Sequence, residues 1–525
     1  MQQGADTNEL LFRNGTIHLF DDDRTTVESV RFENGVVAAA GTADEVEAGA
    51  DSPEVIDLGG KTMLPGFNDA HLHLVSLGLD RIETDLSSAE SRGEALDALE
   101  RNAATTDEGA WVLGFGYDES LWGVGEREYL ALEELDAVST NHPIAAVRVD
   151  GHTVSLNSAA MDAVDFEGVE YDVITDDGEP TGRVVEDAAS RVKDAFAPDA
   201  EKTRRALEAA FDRALALGLT SVQTMAGVRG NETTQDVLQR LHRQGDLPIR
   251  VTYYAGVDQL DAFGDARIVG GFGDDWLRFG GIKVFSDGSI GAQTAKLGTD
   301  FADDPGNDGQ LVHTPEELRS FFERAAANEQ QLATHAIGDA AIETVLDLYE
   351  SIADEYETQP PRLRIEHLEL PDQAHLDRMA ERDVVASMQP NFLKWSREDG
   401  LYDARLGPDR LETNNPFKAV LDAGVSMAFG SDSMPPGPLY GIHHAVDAPG
   451  DRQRVSVDEA IAAYTRGAAF AEFAETRKGR LEPGMLADAV VLDRDPFDHS
   501  GAIEDVEVAM TIVGGEVRYE NEAVS

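Results

Sequence analysis

The chain has 525 residues, 42% of them hydrophobic and 27% charged, enough to bury a large core and to hold more than one structural unit. Its 100 acidic residues against 43 basic ones give a formal charge of −57, a surface that repels phosphate backbones and anionic lipid and so argues against nucleic-acid and membrane partners. With no cysteine, disulfides, thiolate metal ligands and a cysteine nucleophile are excluded.

Short β-like runs open the chain, Glu9 to Leu19, Ser29 to Ala40 and Pro53 to Leu58, bounded by Asn/Gly and Asp turn signals. Similar runs close it, Ala487 to Asp493 and Glu507 to Tyr519, the second broken at Gly514 and Gly515 in the manner of a hairpin. The two ends are expected to form one small β domain, residues 1–64 with 478–525. Between them, apolar β-rich runs alternate with helical patterns at Ala200 to Leu217, Pro315 to Gln330, Ala340 to Glu357 and Val457 to Ala474. That alternation predicts a parallel sheet with helical crossovers. The predicted strands end near His73, Met225, Val257, Asp287, Ile337, Leu370, Pro390 and Asp432, the first running Lys61 to Asn68. Eight strands make a (β/α)8 barrel, which carries its chemistry at the C-terminal strand ends. The fold class is therefore α/β, with the barrel over residues 65–477. Val75 to about Ala200 falls between the first two strands, has apolar runs of its own at Trp111 to Gly116 and Ile144 to Val149, and reads as an inserted folded unit.

The first strand leads into Asp69-Ala-His71-Leu-His73. Residues i and i+2 of an extended chain point the same way, so both imidazoles can reach one cation at the barrel mouth. Four more predicted strands end in a residue of ligand type: Lys283 in Gly-Ile-Lys-Val-Phe-Ser-Asp287, His335 in Ala-Thr-His-Ala-Ile-Gly-Asp339, His367 in Arg-Ile-Glu-His, and Asp432 in Phe-Gly-Ser-Asp. Singly, each has a dull explanation as a core hydrogen bond or a barrel ion pair. Six such residues at five strand ends on the catalytic face favour a metal site.

These blocks, with Leu64-Pro-Gly-Phe-Asn-Asp-Ala-His71-Leu-His73 and the closing Leu481-Glu-Pro-Gly-Met-Leu-Ala-Asp488, resemble the metal-dependent amidohydrolase superfamily. More narrowly, they resemble its third family, the group of YtcJ-like proteins and N-substituted formamide deformylases. The resemblance implies a distorted (β/α)8 barrel and a β-sandwich made from both chain ends. It also implies roles by position. His71, His73 and Asp432 would bind a first metal and His335 and His367 a second, while Lys283 holds the place where relatives carry a bridging, CO2-derived carbamate. A single-metal version, with Lys283 a free amine paired to a carboxylate such as Asp287, stands beside it. Asp432 is the candidate for moving the proton from the attacking hydroxide to the leaving nitrogen. Blocks of the inserted unit resemble the family's own insertion and make Tyr117, Asp118, Trp122 and His152 substrate-contact candidates, although Trp122 reads equally well as packing and His152 as a turn-stabilising group. Asp339 is expected to cap or orient a loop beside His335.

The expected activity is hydrolysis of a non-peptide carbon–nitrogen bond in a small molecule, an amide, N-formyl or carbamate-like group, with zinc the metal that suits such a site, one or two ions per chain. A ring deaminase, an ester or lactone hydrolase, and a non-catalytic scaffold are the alternatives. A homodimer is a superfamily expectation. No run approaches the roughly 18 apolar residues of a membrane span, and the start of the chain lacks a secretion-signal profile, so the expected location is the cytoplasm. Of the 43 basic residues only eight are Lys. Such an Arg-rich, strongly acidic profile looks like that of a protein from a salt-accumulating halophile, where a screening length of about 3 Å at 1 M salt quiets self-repulsion.

Overall fold

A computed structural model describes residues 9–123, 125, 127–225, 232–355, 362–397, 399–498 and 500–524. Eight parallel strands form its centre: β1 (Phe67–Leu72), β2 (Leu219–Met225), β3 (Arg250–Gly256), β4 (Leu277–Phe285), β5 (Gln331–Ala336), β6 (Arg364–His367), β7 (Val385–Met388) and β8 (Met427–Phe429). They pair in sequence order from β1 to β8. The seam between β8 and β1 is bridged by the Asp432 amide, which donates to the His71 carbonyl at 2.7 Å. The Asp69 carboxylate reaches across the same seam and accepts from the Ser431 amide and hydroxyl.

The predicted strand ends lie within three residues of those observed. One prediction needs correcting. The run from Lys61 to Asn68 is not one strand, because it breaks at Gly66. Thr62–Pro65 pairs antiparallel with Ala489–Leu492 in a different sheet, and β1 starts at Phe67. Gly66 is required at this changeover, since a Cβ there would lie 2.2 Å from the Thr220 side chain.

The sheet that receives Thr62–Pro65 joins both chain ends. Its order is Glu516–Glu520, Val508–Val513, Ala489–Leu492, Thr62–Pro65, Glu9–His18, Thr26–Glu33 and Val36–Gly41, with Glu54–Asp57 beside Glu9–His18. Phe12, Phe32 and Met63 from the first part of the chain share one buried cluster with Val491 and Ile512 from the last. The turn between the final two strands has Gly514 at φ 61° and Gly515 at φ 75°, the left-handed pair that matches the twist of a tight hairpin.

The inserted unit holds a third sheet, in the order Val173–Asp176, Glu179–Val185, Thr153–Leu156, Ile144–Arg148, Val112–Tyr117 and Thr84–Asp85. Its entry helix, Leu74–Ile82, begins directly at His73 and packs on helix Ala200–Ala216. The contact is so close that a Cβ on Gly78 would meet the Ala206 carbonyl oxygen at 1.7 Å. This packing ties the insertion to the barrel next to the first histidine pair. No helix among the described residues is long and apolar enough to cross a membrane.

Candidate metal centre and substrate cavity

His71 is fully buried, and its two ring nitrogens face different partners. Nδ1 lies 2.6 Å from Glu366 Oε2, while Nε2 faces Asp432 Oδ1 at 3.6 Å and Lys283 Nζ at 3.4 Å. His73 Nδ1 is held by the Met225 carbonyl at 3.0 Å, which leaves Nε2 3.2 Å from the same Asp432 oxygen. One ligand atom from each of His71, His73 and Asp432 thus falls within 4.8 Å of the others. His367 extends the cluster, its ring 4.8 Å from that of His71 and 4.4 Å from that of His335, centroid to centroid.

Strand geometry explains the convergence. In the β5–β6 register His335 opposes Glu366 and Ala336 opposes His367, so the two histidines lie one step apart at the same end of the barrel, while Lys283 of β4 opposes Ala333, two residues deeper. His367 and Asp432 both have left-handed backbones, φ 73° and 51°. Such conformations are uncommon outside glycine and cluster at functional sites. Here they turn the chain sharply where β6 and β8 end.

The electrostatics suit cation binding. Burial and the Lys283 charge push the His71 pKa down to about 4, and burial drives those of His335 and His367 well below the usual histidine value. All three are neutral near pH 7, the state in which imidazole ligates metals. Burial pushes Lys283 down to about 8. For Asp432, burial opposes the charge, but His73, His71 and Lys283 together hold its carboxyl below the ordinary value.

Three buried acceptors of the cluster, His335 Nδ1, His367 Nδ1 and Asp432 Oδ1, have no hydrogen-bond partner. Buried polar atoms are almost always satisfied. Orphaned imidazole nitrogens beside an orphaned carboxylate oxygen are what a divalent cation would complete, so the residues present fit a metal.

A cavity of about 740 Å³ opens onto the cluster, with His73, Lys283, His335, His367 and Asp432 in its wall. The insertion supplies the opposite wall, including Phe115, Asp118, Val147 and His152. His152 stands 5.6 Å from the His335 ring, centroid to centroid, and its Nδ1 is fixed by Glu186 at 2.8 Å. Asp118 accepts from the Trp395 indole at 2.8 Å and lies in the cavity wall.

Tyr117 and Trp122 do not meet the expectation of substrate contact. Both are buried in the insertion's own apolar cluster, stacked at 6.0 Å, with Tyr117 bonded to Ser155 and Trp122 to the Ala89 carbonyl. Asp287 stands behind His335, in a supporting position, and not against Lys283. Its carboxylate accepts from the backbone amides of Lys296, Ile337 and Gly338 and lies 3.6 Å from His335 Nε2, while the carboxylates that act on Lys283 are those of Glu366 and Asp432. Asp339 accepts from the Gly298 amide at 2.9 Å, tying that loop down next to β5.

Sequence reasoning gave no part to Arg364, Glu366 or Asp69. Arg364 is completely buried and donates to both oxygens of Glu366, at 2.6 and 3.1 Å, and to Tyr254, Ser387 and the Ala70 carbonyl. Through Glu366 it fixes the His71 ring, the support that metal-binding histidines require. The signal was present in Arg364-Ile-Glu366, an i, i+2 charged pair on one face of a buried strand.

A model of the amidohydrolase family matches residues 54–519. The chain belongs to that family. The putative amidohydrolase YtcJ of Bacillus subtilis is 29% identical over 97% of this chain and 99% of its own. The N-substituted formamide deformylase of Arthrobacter pascens is 27% identical over 98% of each chain. Among solved structures, an uncharacterized metal-dependent hydrolase from Pyrococcus furiosus superposes with a TM-score of 0.73 at 30% identity, covering 93% of this chain and all of that one. This amidohydrolase is accordingly a hydrolytic enzyme.

Proposed function

We propose that this amidohydrolase cleaves a non-peptide carbon–nitrogen bond in a small molecule, an amide, N-formyl or carbamate-like group, with Asp432 carrying the proton. The observation that supports it most is the convergence of His71, His73 and Asp432, whose ligand atoms lie within 4.8 Å of one another, on a cavity whose wall also holds His335 and His367, each with an Nδ1 that has no hydrogen-bond partner. The resemblance to an N-substituted formamide deformylase points to the same bond class. His71, His73 and Asp432 would hold one divalent cation, zinc by donor chemistry, and His335 with His367 a second. Such a cation makes water a nucleophile near neutral pH and polarises a scissile carbonyl.

The chain's own residues do the rest. Asp432, charged and held at the cluster, accepts a proton from the attacking water and returns it to the departing nitrogen. Glu366 and the Met225 carbonyl hold the two first-strand imidazoles so that their Nε2 atoms converge on Asp432. The insertion roofs the cavity and limits water around the scissile group. Lys283 is buried with its amine at the cluster, and a carbamate formed there by nitrogen–carbon bond formation with CO2 and loss of a proton would offer two anionic oxygens in place of a cation.

The test is a panel of N-substituted formamides, acyl amides and carbamates, followed by amine release from zinc-loaded protein in molar salt with bicarbonate. Turnover is expected to stop with 1,10-phenanthroline and return with added zinc. Release of ammonia from a ring substrate in place of a substituted amine moves the activity to deamination. Loaded protein that cleaves none of the panel, or turnover indifferent to the chelator, contradicts the proposal.

A further inference from the structure

We infer that His152 of the inserted unit is a further catalytic residue, donating from Nε2 to the oxygen of the scissile carbonyl as that oxygen turns negative, with Glu186 the residue that positions it. This rests on the hydrolase reading above and adds to it a protein group that stabilises the developing charge.

The turn that carries His152 is fixed from several directions. Arg148, which is buried, donates to Asp150 Oδ2 at 2.7 Å, and Asp150 Oδ1 accepts from the His152 and Thr153 amides. Lys193 donates to the Gly151 carbonyl at 2.8 Å, and the His152 carbonyl accepts from the Glu186 amide at 3.1 Å. The imidazole is held as well, its Nδ1 lying 2.8 Å from Glu186 Oε2. Glu186 reaches that place through a left-handed backbone, φ 43°, at the start of helix Glu186–Ala195. Such a conformation is uncommon for a residue other than glycine, and it concentrates at functional sites. The second carboxylate oxygen accepts from the Thr294 hydroxyl. Gly288 makes room for the group, since a Cβ there would lie 2.4 Å from Glu186 Oε1.

One atom of the turn is left uncommitted. Nδ1 is engaged with Glu186, whereas Nε2 of His152 meets no hydrogen-bond partner among the described residues. The ring lines the same cavity as His335, His367 and Asp432 and stands 5.6 Å from the His335 ring, centroid to centroid. Gly288 links the two rings, because its carbonyl also lies 2.9 Å from His335 Nε2. The Glu186 side chain is only 5% exposed, and a carboxylate so buried needs a positive partner. The imidazolium supplies it at ion-pair distance, and both ring nitrogens then carry a proton. Addition of water to a carbonyl places negative charge on its oxygen. A cationic donor already locked in place stabilises that charge without reorganising. The proton stays on His152, while Asp432 carries the one that moves.

Calorimetric binding to the zinc-loaded full chain in molar salt tests this with two probes. Methylphosphonate has the tetrahedral, anionic oxygens of a carbonyl to which water has added, and acetate is planar. Wild-type protein is expected to bind methylphosphonate, and His152→Gln to bind it about ten- to a hundredfold more weakly, the ratio for a hydrogen bond to a charged group. Acetate affinity, zinc content and melting curve are expected to stay close to those of the wild type. Glu186→Gln leaves the imidazole but removes its counter-charge, is expected to show a smaller loss of the same kind, and carries the test if His152→Gln does not fold. Equal methylphosphonate affinity in wild type and variants, no binding to the wild type, or an equal loss for acetate overturns the inference, the last because the cation centre itself would then be disturbed. Amine release from the panel above, on the same samples, separates the two readings. A His152-dependent methylphosphonate affinity without amine release keeps His152 as the contact for a tetrahedral anion and removes the carbon–nitrogen reaction, whereas amine release indifferent to His152 does the reverse. Where both hold, His152→Gln is expected to lower kcat by about a hundredfold with KM little changed.

Discussion

Asp432→Asn is expected to lower kcat by about a thousandfold or more, within the range for losing a positioned acid–base group together with transition-state charge stabilisation. Asparagine preserves the size of the side chain and the 2.7 Å backbone hydrogen bond to the His71 carbonyl, so β8 stays docked on β1. What is lost is the negative oxygen that faces His71 Nε2 at 3.6 Å and His73 Nε2 at 3.2 Å. Single-turnover amine release, measured beside metal content, distinguishes two roles for that oxygen. If it moves the proton, the loss persists when the variant is saturated with zinc. If it only ligates, excess zinc restores most of the rate, and the proton-transfer role falls.

The second large effect is on stability. Arg364→Met is expected to destabilise the protein by about 3–5 kcal/mol, the cost of breaking a buried ion pair from one side. The guanidinium holds both oxygens of Glu366 and reaches β1 through the Ala70 carbonyl, β3 through Tyr254 and β7 through Ser387. Removing it strands the Glu366 carboxylate in the barrel interior and loosens the His71 ring hydrogen-bonded to it. Urea unfolding in molar salt measures the change, and adding Glu366→Gln to the variant should recover part of it, since the stranded charge is then gone. A loss below about 1 kcal/mol would mean that the network is dispensable, as surface pairs often are.

Much of the architecture was legible because barrel strands obey simple rules. Each is a short apolar run followed by a helical pattern, and the residues just past each run, such as His335 before helix Asp339–Glu355, mark the catalytic face. The break at Gly66 is marked in the sequence by the Pro65-Gly66 dipeptide, a turn signal inside an otherwise apolar run from Lys61 to Asn68. Its setting comes from distant parts of the chain: the Gly66 amide donates to the Asp488 carbonyl, and the Thr220 side chain fills the space a Cβ would need.

The site was legible to a similar depth. A histidine or aspartate at a strand end is visible in one dimension, so the residues around the cluster could be named before the structure. Arg364 and Glu366 show in sequence only as a charged pair on one strand face, and the contacts through which they act, with β1, β3 and β7, come from distant parts of the chain. The insertion was harder still. Tyr117 closes the strand Val112–Tyr117, and regular alternation would put it on the same face as Phe115. Gly116, at φ 86°, breaks the alternation and shifts the register between the two. Phe115 lines the cavity while Tyr117 turns into the insertion's core beside Trp122.

The central claim is that the barrel mouth holds a catalytic divalent cation on His71, His73 and Asp432, with His335 and His367 available for a second. Elemental analysis of metal per chain, on protein purified in molar salt with bicarbonate and no chelator, tests it most directly. At least one ion per chain is expected, rising to two when Lys283 carries its carbamate. Protein that retains no metal, even after reloading with zinc or manganese, would contradict the account.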